Sequence, residues 1–338
     1  MFQVFYDAIS VGSATIDFFS YSQDSELIEI KGRSSDFELI AYPLGTKISL
    51  ERTEHDLGGG GTNSAAVLKA LGLNCAFLGR VGDDFLGLEI IQLLKKYGIN
   101  FIGEVVRGGK SAMSIILDSN AQDRTILAFK GVSEKPICSL NDNDALLYYM
   151  TSPSKAGIKE YEVFVKSVHS KRAHVAFNPS SYIAELGMRK LARILRYVDI
   201  LTLNYEEIQL LTKEYFESRN RHFEIKEALK AVHAAGPNYI AVTNGAKQLT
   251  VSDGTNVYEA IPRKVKVAET TGAGDAFGAT FSALIVKNHP VEEALDCALI
   301  NSASVVSYQG PKNRLLSLNQ IMSVRKRVSK IDIKKKSL

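Results

Sequence analysis

Short apolar runs alternate with segments of helical period along most of this 338-residue chain, and that alternation restricts the fold more than any other feature. "YDAISV" (6–11) reads as a buried first strand, and "TNSAAVLKALG" as a helix ended by Gly72. "NCAFLGRVG" reads as a strand running into a loop, and "DFLGLEIIQLLKKYG" as an amphipathic helix stopped by Gly98. Three later runs, "AHVAFNP", "DILTLN" and "NYIAVTNG", each follow a helical stretch and end in Asn-containing turn chemistry. Such a repeat packs as a mostly parallel sheet with helices on both faces, a doubly wound α/β fold. Ligands of these sheets bind at the carboxyl ends of the strands. Here those ends are Gly12–Asp17, Gly79–Asp84, Asn178, Asn204 and Thr243–Gly245.

Two stretches break the pattern. Residues 18–55 hold strand-like runs ("ELIEI", "LIAY", "TKISL") and no good helix, and 111–129 reads as two strands around the turn Asn120–Asp123. Together they predict a small antiparallel sheet beside a main domain made of 1–17, 56–110 and 130–324. Residues 325–338 carry a local charge of +6 against −2 for the rest of the chain. The basicity is therefore a property of a solvated C-terminal tail, and not of a folded face that would bind nucleic acid. No apolar stretch reaches the ~20 residues of a membrane span. The N-terminus has no signal-peptide pattern. Cys75, Cys138 and Cys297 are far apart and follow no metal or disulfide spacing, which fits a reducing cytoplasm.

The chemistry concentrates in "AETTGAGDAF" (268–277). "RKVKVAE" before the glycines alternates like a strand, and "AFGATFSALIVKN" after them has helical spacing. The turn Gly272–Ala273–Gly274 is then a helix N-terminus, where free N–H groups and the dipole attract an anion. Asp275 is a carboxylate in the same turn. As a first-turn acid alone it would stabilise by only ~0.3–1 kcal/mol. Phosphoryl transfer explains it better: the turn stabilises a transferring phosphoryl group, and the carboxylate takes a proton from the attacking hydroxyl. Base and anion site must then be neighbours. A dinucleotide site fits poorly, because the third glycine position of G-x-G-x-x-G is Phe277 and the acid would repel a permanent pyrophosphate.

A second cluster, "LGGGGTNSAAVLKALG", offers close backbone approach at Gly58–Gly61, with Asn63 opening a helix. "GEVVRGGKSA" (103–112) is only a near-miss to a P-loop, because Glu104 stands where the first Gly should be. The six histidines form no i, i+4 pair that would suggest a zinc site.

In order along the chain, "GSATID", "GGGGTN", "GRVGDDFLG", "DRTI", "NPSS", "LTLNYEEI", "VTNGA" and "TTGAGDAF" resemble the motifs of the ribokinase-like, or phosphofructokinase-B, carbohydrate kinases over about residues 6–312. The resemblance implies a three-layer α/β/α fold with a mostly parallel central sheet and a small β-sheet lid. It also implies transfer of the ATP γ-phosphate to a hydroxyl of a sugar or nucleoside, with Mg²⁺. Asp275 then matches the base, and Gly272, Ala273 and Gly274 the anion hole. Asp17, Gly59, Gly60, Asn63 and Thr151 match the substrate side. Asn204, Glu207, Thr243, Gly245 and Asn301 match the nucleotide side, Glu207 acting on Mg²⁺ through water. Glu269 matches a loop that in ribokinases borders a monovalent cation, so K⁺ enters as a further ligand. The lid would also join two copies as a homodimer.

The chain departs from ribokinases proper at Gly60, where relatives often have Lys, at Thr151, where an acid would stand, and at Glu269, where many have Asp. The turn before Arg124 also lacks the usual Gly. The segments Gly12–Asp17 and Gly58–Asn63 hold no basic residue. A neutral polyol is therefore expected, and not a sugar phosphate. A nucleoside kinase is the alternative within the family. A dinucleotide-dependent oxidoreductase or a silent binding module on this fold are the alternatives outside it.

Overall fold

A computed structural model describes residues 4–21, 26–31, 36–118, 124–135, 139–140, 143–308 and 312–338. Its strands Tyr239–Thr243, Ile200–Asn204, His174–Asn178, Asn143–Thr151, Val4–Val11, Cys75–Leu78 and Asn100–Phe101 lie side by side in that order, all parallel. Leu249–Ser252, Asn256–Ala260 and Ile333–Ser337 extend the same sheet antiparallel beyond Tyr239–Thr243. The central strands are mainly apolar because helices cover both faces. Leu147 and Tyr149 enter one core, and Tyr148 and Met150, pointing the other way, enter the second. Helices Gly60–Ala70, Phe85–Lys96, Ala273–Val286, Val291–Val306 and Leu318–Arg327 contribute to the first core. Helices Ile158–Ser170, Gly187–Leu195, Tyr205–Glu217 and Ile225–Ala235 contribute to the second.

The segments that break the alternation share a second sheet. Its order is Arg124–Phe129, Ala112–Asp118, Thr15–Tyr21, Arg52–Gly58. One pairing in it, Ala112–Asp118 with Thr15–Tyr21, is parallel, so the sheet is mixed and not purely antiparallel. Glu26–Lys31 and Asp36–Ala41 form a separate hairpin. "TKISL" is not a strand: Leu44 and Leu50 on either side of Thr46 are exposed, and among the described residues no strand pairs with it. The turn Asn120–Asp123 and Cys138 fall outside the described residues. Cys75 and Cys297 are buried free thiols. Among the described residues no helix is long and apolar enough to cross a membrane.

Two further expectations need correction. "RKVKVAE" is irregular chain; Val265 and Val267 are both exposed, so its alternation has no covered face to serve. The basic C-terminus is not a solvated tail. Arg325 bridges Glu293 and Asp296 from the last turn of the Leu318–Arg327 helix. Ile333–Ser337 then closes the sheet edge, with Lys336 paired to Glu259 and Lys335 to Glu292. The lysines suit this place because charge on an outermost strand discourages pairing with another chain. Removing residues 330–338 is expected to lower Tm by about 3–8 °C, the scale of a few kcal/mol in a chain of this size. An unchanged melting curve would show that the edge strand adds nothing to stability.

Candidate active site

The strand Val4–Val11 ends at Gly12, and within three residues the chain re-enters a strand, Thr15–Tyr21, of the second sheet. That sheet therefore overhangs the carboxyl ends of the main one. Between them lies a cavity of about 320 Å³ lined by Ser13, Gly60, Lys130, Thr151, Asn178 and Asp275, among others.

Gly272 stands at the N-cap of Ala273–Val286 with φ 80°, a left-handed conformation that glycine takes without steric cost. No side chain caps this helix. The Ala273 N–H bonds back to Thr270, and the Ala276 N–H to Gly272. The N–H groups of Gly274 and Asp275 have no backbone partner among the described residues. Nothing lies within 4 Å of the place a Cβ on Gly274 would occupy. The helix start is thus a bare, open cradle with positive potential, fit for a phosphate.

Asp275 opens onto this cradle and is half-buried. Its Oδ2 accepts from Asn63 Nδ2 at 3.0 Å, and Asn63 Oδ1 accepts from Lys312 Nζ at 2.6 Å. Lys312 is 5% exposed and also donates to the Leu57 carbonyl. Burial pushes the Asp275 carboxyl up to about 6, against the opposing pull of the Asn63 hydrogen bond and the Lys312 charge. Beneath it, burial and then the Asp275 charge push the Tyr149 phenol up.

Asn63 does not open its helix. Gly59, at φ 96°, is the N-cap, and Asn63 sits one turn inside with its amide turned to the site. Asp17 lies on a lid strand, opposite Asp56 in the register, and accepts from Thr15 Oγ1 at 2.7 Å. A side chain at Gly58 would collide with the Asp17 carboxylate. Thr151 is buried and donates to Val11 O at 3.3 Å. Gly60, Thr151 and Asp275 thus meet at one cavity, with Asn63 bound to the last.

The residues expected on the nucleotide side form a second group at the carboxyl ends of neighbouring strands of the same sheet. Asn204 and Thr243 are register partners at the ends of adjacent strands. Asn204 caps Tyr205–Glu217, and Glu207 returns a bond to its N–H, a complete capping box. Burial pushes the Glu207 carboxyl above its ordinary value. Gly245 follows at φ 54° with open space around it. Two residues stay outside this group. Asn301 is fully buried; it donates to Thr280 Oγ1 at 2.9 Å and accepts from the Leu316 N–H at 3.1 Å, so its amide has no free face for an adenine. Glu269 is buried, its N–H bonded to Val306 O.

Three features escaped the sequence reading. Lys312 comes from a segment with no motif, 249 residues from Asn63. Lys130 brings a cation to the cavity wall, with Glu134 on the same wall. Ser152 and Ser180 hydrogen-bond each other at 2.6 Å there, and only the second belongs to a motif, "NPSS".

A family model described as pfkB family carbohydrate kinase matches residues 9–317. The ATP-dependent ribose-1-phosphate kinase of Halopiger xanaduensis is 26% identical over 78% of this chain and 84% of its own. The nucleoside kinase of Methanocaldococcus jannaschii is 25% identical over 82% and 88%. The Arabidopsis thaliana ribokinase, solved with ribose and ATP, superposes with a TM-score of 0.75 at 21% identity, covering 96% of this chain and 99% of the other. The architecture is that of the ribokinase-like α/β kinases. The chain belongs to the pfkB family of carbohydrate kinases, and its activity is that of a sugar or nucleoside kinase.

A base works only when ionised, so the expectation that Asp275 is the base predicts activity that rises with pH as it loses its proton. Because burial raises that pKa, the acidic limb of kcat/KM is expected near pH 6 and not near 4. A pH–rate profile checks this; a limb at about 4 would mean that water solvates the carboxylate freely.

Proposed function

We propose that this kinase transfers the γ-phosphate of ATP to a hydroxyl of a neutral polyol, with a free sugar as the acceptor and Asp275 as the general base. The observation that carries this reading is the half-buried Asp275 carboxylate on the first turn of a helix whose Gly274 and Asp275 N–H groups have no backbone partner among the described residues, with open space beside Gly274. An acceptor hydroxyl in the cavity would meet the carboxylate and the phosphate cradle at once. Proton removal would leave an alkoxide-like oxygen beside the phosphorus. The cradle would stabilise the charge spreading over the transferring group.

Asn204, Glu207, Thr243 and Gly245 would hold the nucleotide along the neighbouring strand ends. Mg²⁺, when bound, would neutralise charge on the phosphates. Among the described residues no group of three or more His, Cys, Asp or Glu makes a metal cage. The ion would therefore arrive on the nucleotide, with Glu207 reaching it through water. K⁺ would belong near Glu269, outside the reacting centre.

Neutral substrates are favoured by the walls of the cavity. Ser13, Thr151, Ser152 and Ser180 bring hydroxyls to them, and the charge of Lys130 is balanced there by Glu134. A nucleoside is the second reading. Phe129 and Tyr182 flank the same cavity and offer ring faces for a base. ATP turnover should be measured on matched pairs, ribose against ribose 5-phosphate and fructose against fructose 6-phosphate, with adenosine and cytidine alongside. Neutral members are expected to win, and Asp275→Asn to lower turnover ~10²–10⁴-fold while ATP still binds. A tenfold preference for phosphorylated members would overturn the neutral-substrate reading. Near-normal kcat in Asp275→Asn would remove that residue from the base role.

The lid would also join two copies. Its outer strand Arg124–Phe129 leaves Ile126, Leu127 and Phe129 half exposed on an open sheet edge. Sedimentation at working concentration is expected to show a dimer, and a clean monomer would refute this.

A further inference from the structure

We propose that Lys312 is a positioning residue for the transfer reaction: its buried ammonium fixes the Asn63 carboxamide with the amide N–H turned to Asp275, leaving the other carboxylate oxygen for the incoming hydroxyl. The proposal rests on the kinase reading above.

The argument begins with the two ends of an amide, which have nearly the same shape and different chemistry. An ammonium has donors only. The end of Asn63 that faces Lys312 Nζ at 2.6 Å must therefore be its oxygen. The nitrogen then faces Asp275 Oδ2 at 3.0 Å, and a carboxylate accepts it. A flipped amide would set donor against donor and oxygen against oxygen at both contacts. Lys312 thereby decides the orientation of a group it touches and the aim of a group it does not. Its charge also polarises the amide, which strengthens the N–H donated to Asp275.

The lysine is held for this task. Its loop is tied down by Ser304 Oγ to Arg314 O at 2.8 Å, and by the Leu316 N–H to the buried Asn301 amide at 3.1 Å. Asn301 thus serves the site through the loop and not through a nucleotide. The ammonium donates on its other side to Leu57 O, at the end of a lid strand.

The charged and titratable groups around it come from every neighbouring element. Asp17 belongs to Thr15–Tyr21, Asp56 to Arg52–Gly58 and Asp275 to Ala273–Val286. Tyr97, following the Phe85–Lys96 helix, reaches Asp56 at 3.4 Å, and Tyr149 of Asn143–Thr151 lies by Asp275. Among the described residues Lys312 is the one cation of this group, and it faces three carboxylates. Burial still outweighs those carboxylates and brings its own pKa down to about 8.

Removing the charge leaves Asp275 desolvated with less to offset it, so its titration should move up. The test follows the Asp275 carboxylate by ¹³C NMR across pH in full-length protein, assigned with Asp275→Asn, alongside the pH profile of kcat/KM. In Lys312→Met the Asp275 midpoint is expected to rise by about one unit or more, the usual effect of losing a nearby opposite charge. The acidic limb should move with it, and Lys312→Arg should recover part of the shift. An unmoved midpoint in folded Lys312→Met overturns the proposal. Should that variant fail to fold, Asn63→Leu decides. It removes the N–H donor without adding a charge, so the Asp275 midpoint should again rise, and a midpoint at the wild-type value refutes the proposal. The titration needs no turnover. Wild-type protein that phosphorylates no sugar or nucleoside would sink the kinase reading, while the NMR result still judges the Lys312–Asn63–Asp275 contact.

Discussion

Asp275 is a half-buried carboxylate on the first turn of a helix whose start is left uncapped, and the groups around it are arranged to make that charge tolerable. A buried carboxylate without partners would simply take up a proton. Here one oxygen is bonded to Asn63, and the helix start supplies the local positive potential. The result is a carboxyl whose pKa is raised by burial and held in check by the Asn63 hydrogen bond and the Lys312 charge, as the proposed base role would require. The rest of the fold holds the parts of this arrangement in register. The parallel sheet places the strand ends side by side, and the two covered faces give the helix a rigid seat.

Much of this could be read from local sequence, and the reason is physical. Apolar runs such as "AHVAFNP" and "NYIAVTNG" report a strand covered on both faces, whatever partners they find. The turn at Gly272–Asp275 is likewise a local object: its glycines, its acid and its helix are contiguous. What failed depended on partners. "RKVKVAE" alternates as a strand should, but no edge lies beside it. The lysines of the C-terminus suggested solvent because charge was weighed without the unpaired edge of Asn256–Ala260, which they cover. The start of the lid strand was misplaced past Asp17 because its bounds are set by pairing with Ala112–Asp118 and Arg52–Gly58. Lys312 was illegible for the same reason in its strongest form. No periodicity connects it to Asn63, and only the folded loop brings them together.

The two groups of site residues also differ in what else they do. Asn204 and Glu207 complete a capping box that the helix needs with or without a ligand. Their presence in a sequence is therefore weaker evidence of function than the Gly274 opening, which serves no evident packing purpose.

Asp17 and Asp275 belong to different bodies. One sits on a strand of the overhanging sheet, three residues beyond the short connection Ser13–Ala14, and the other on a helix seated in the main core. On the proposed reading, the surface that meets the acceptor is divided between two sheets joined by that connection, and its shape would depend on the angle between them. Selectivity in such an enzyme is partly mechanical. A compound that touches both halves is rewarded for spanning the correct angle, and one that fills the same volume without bridging them is not. The stiffness of Ser13 and Ala14 would then enter the discrimination between acceptors, alongside the atoms that contact them.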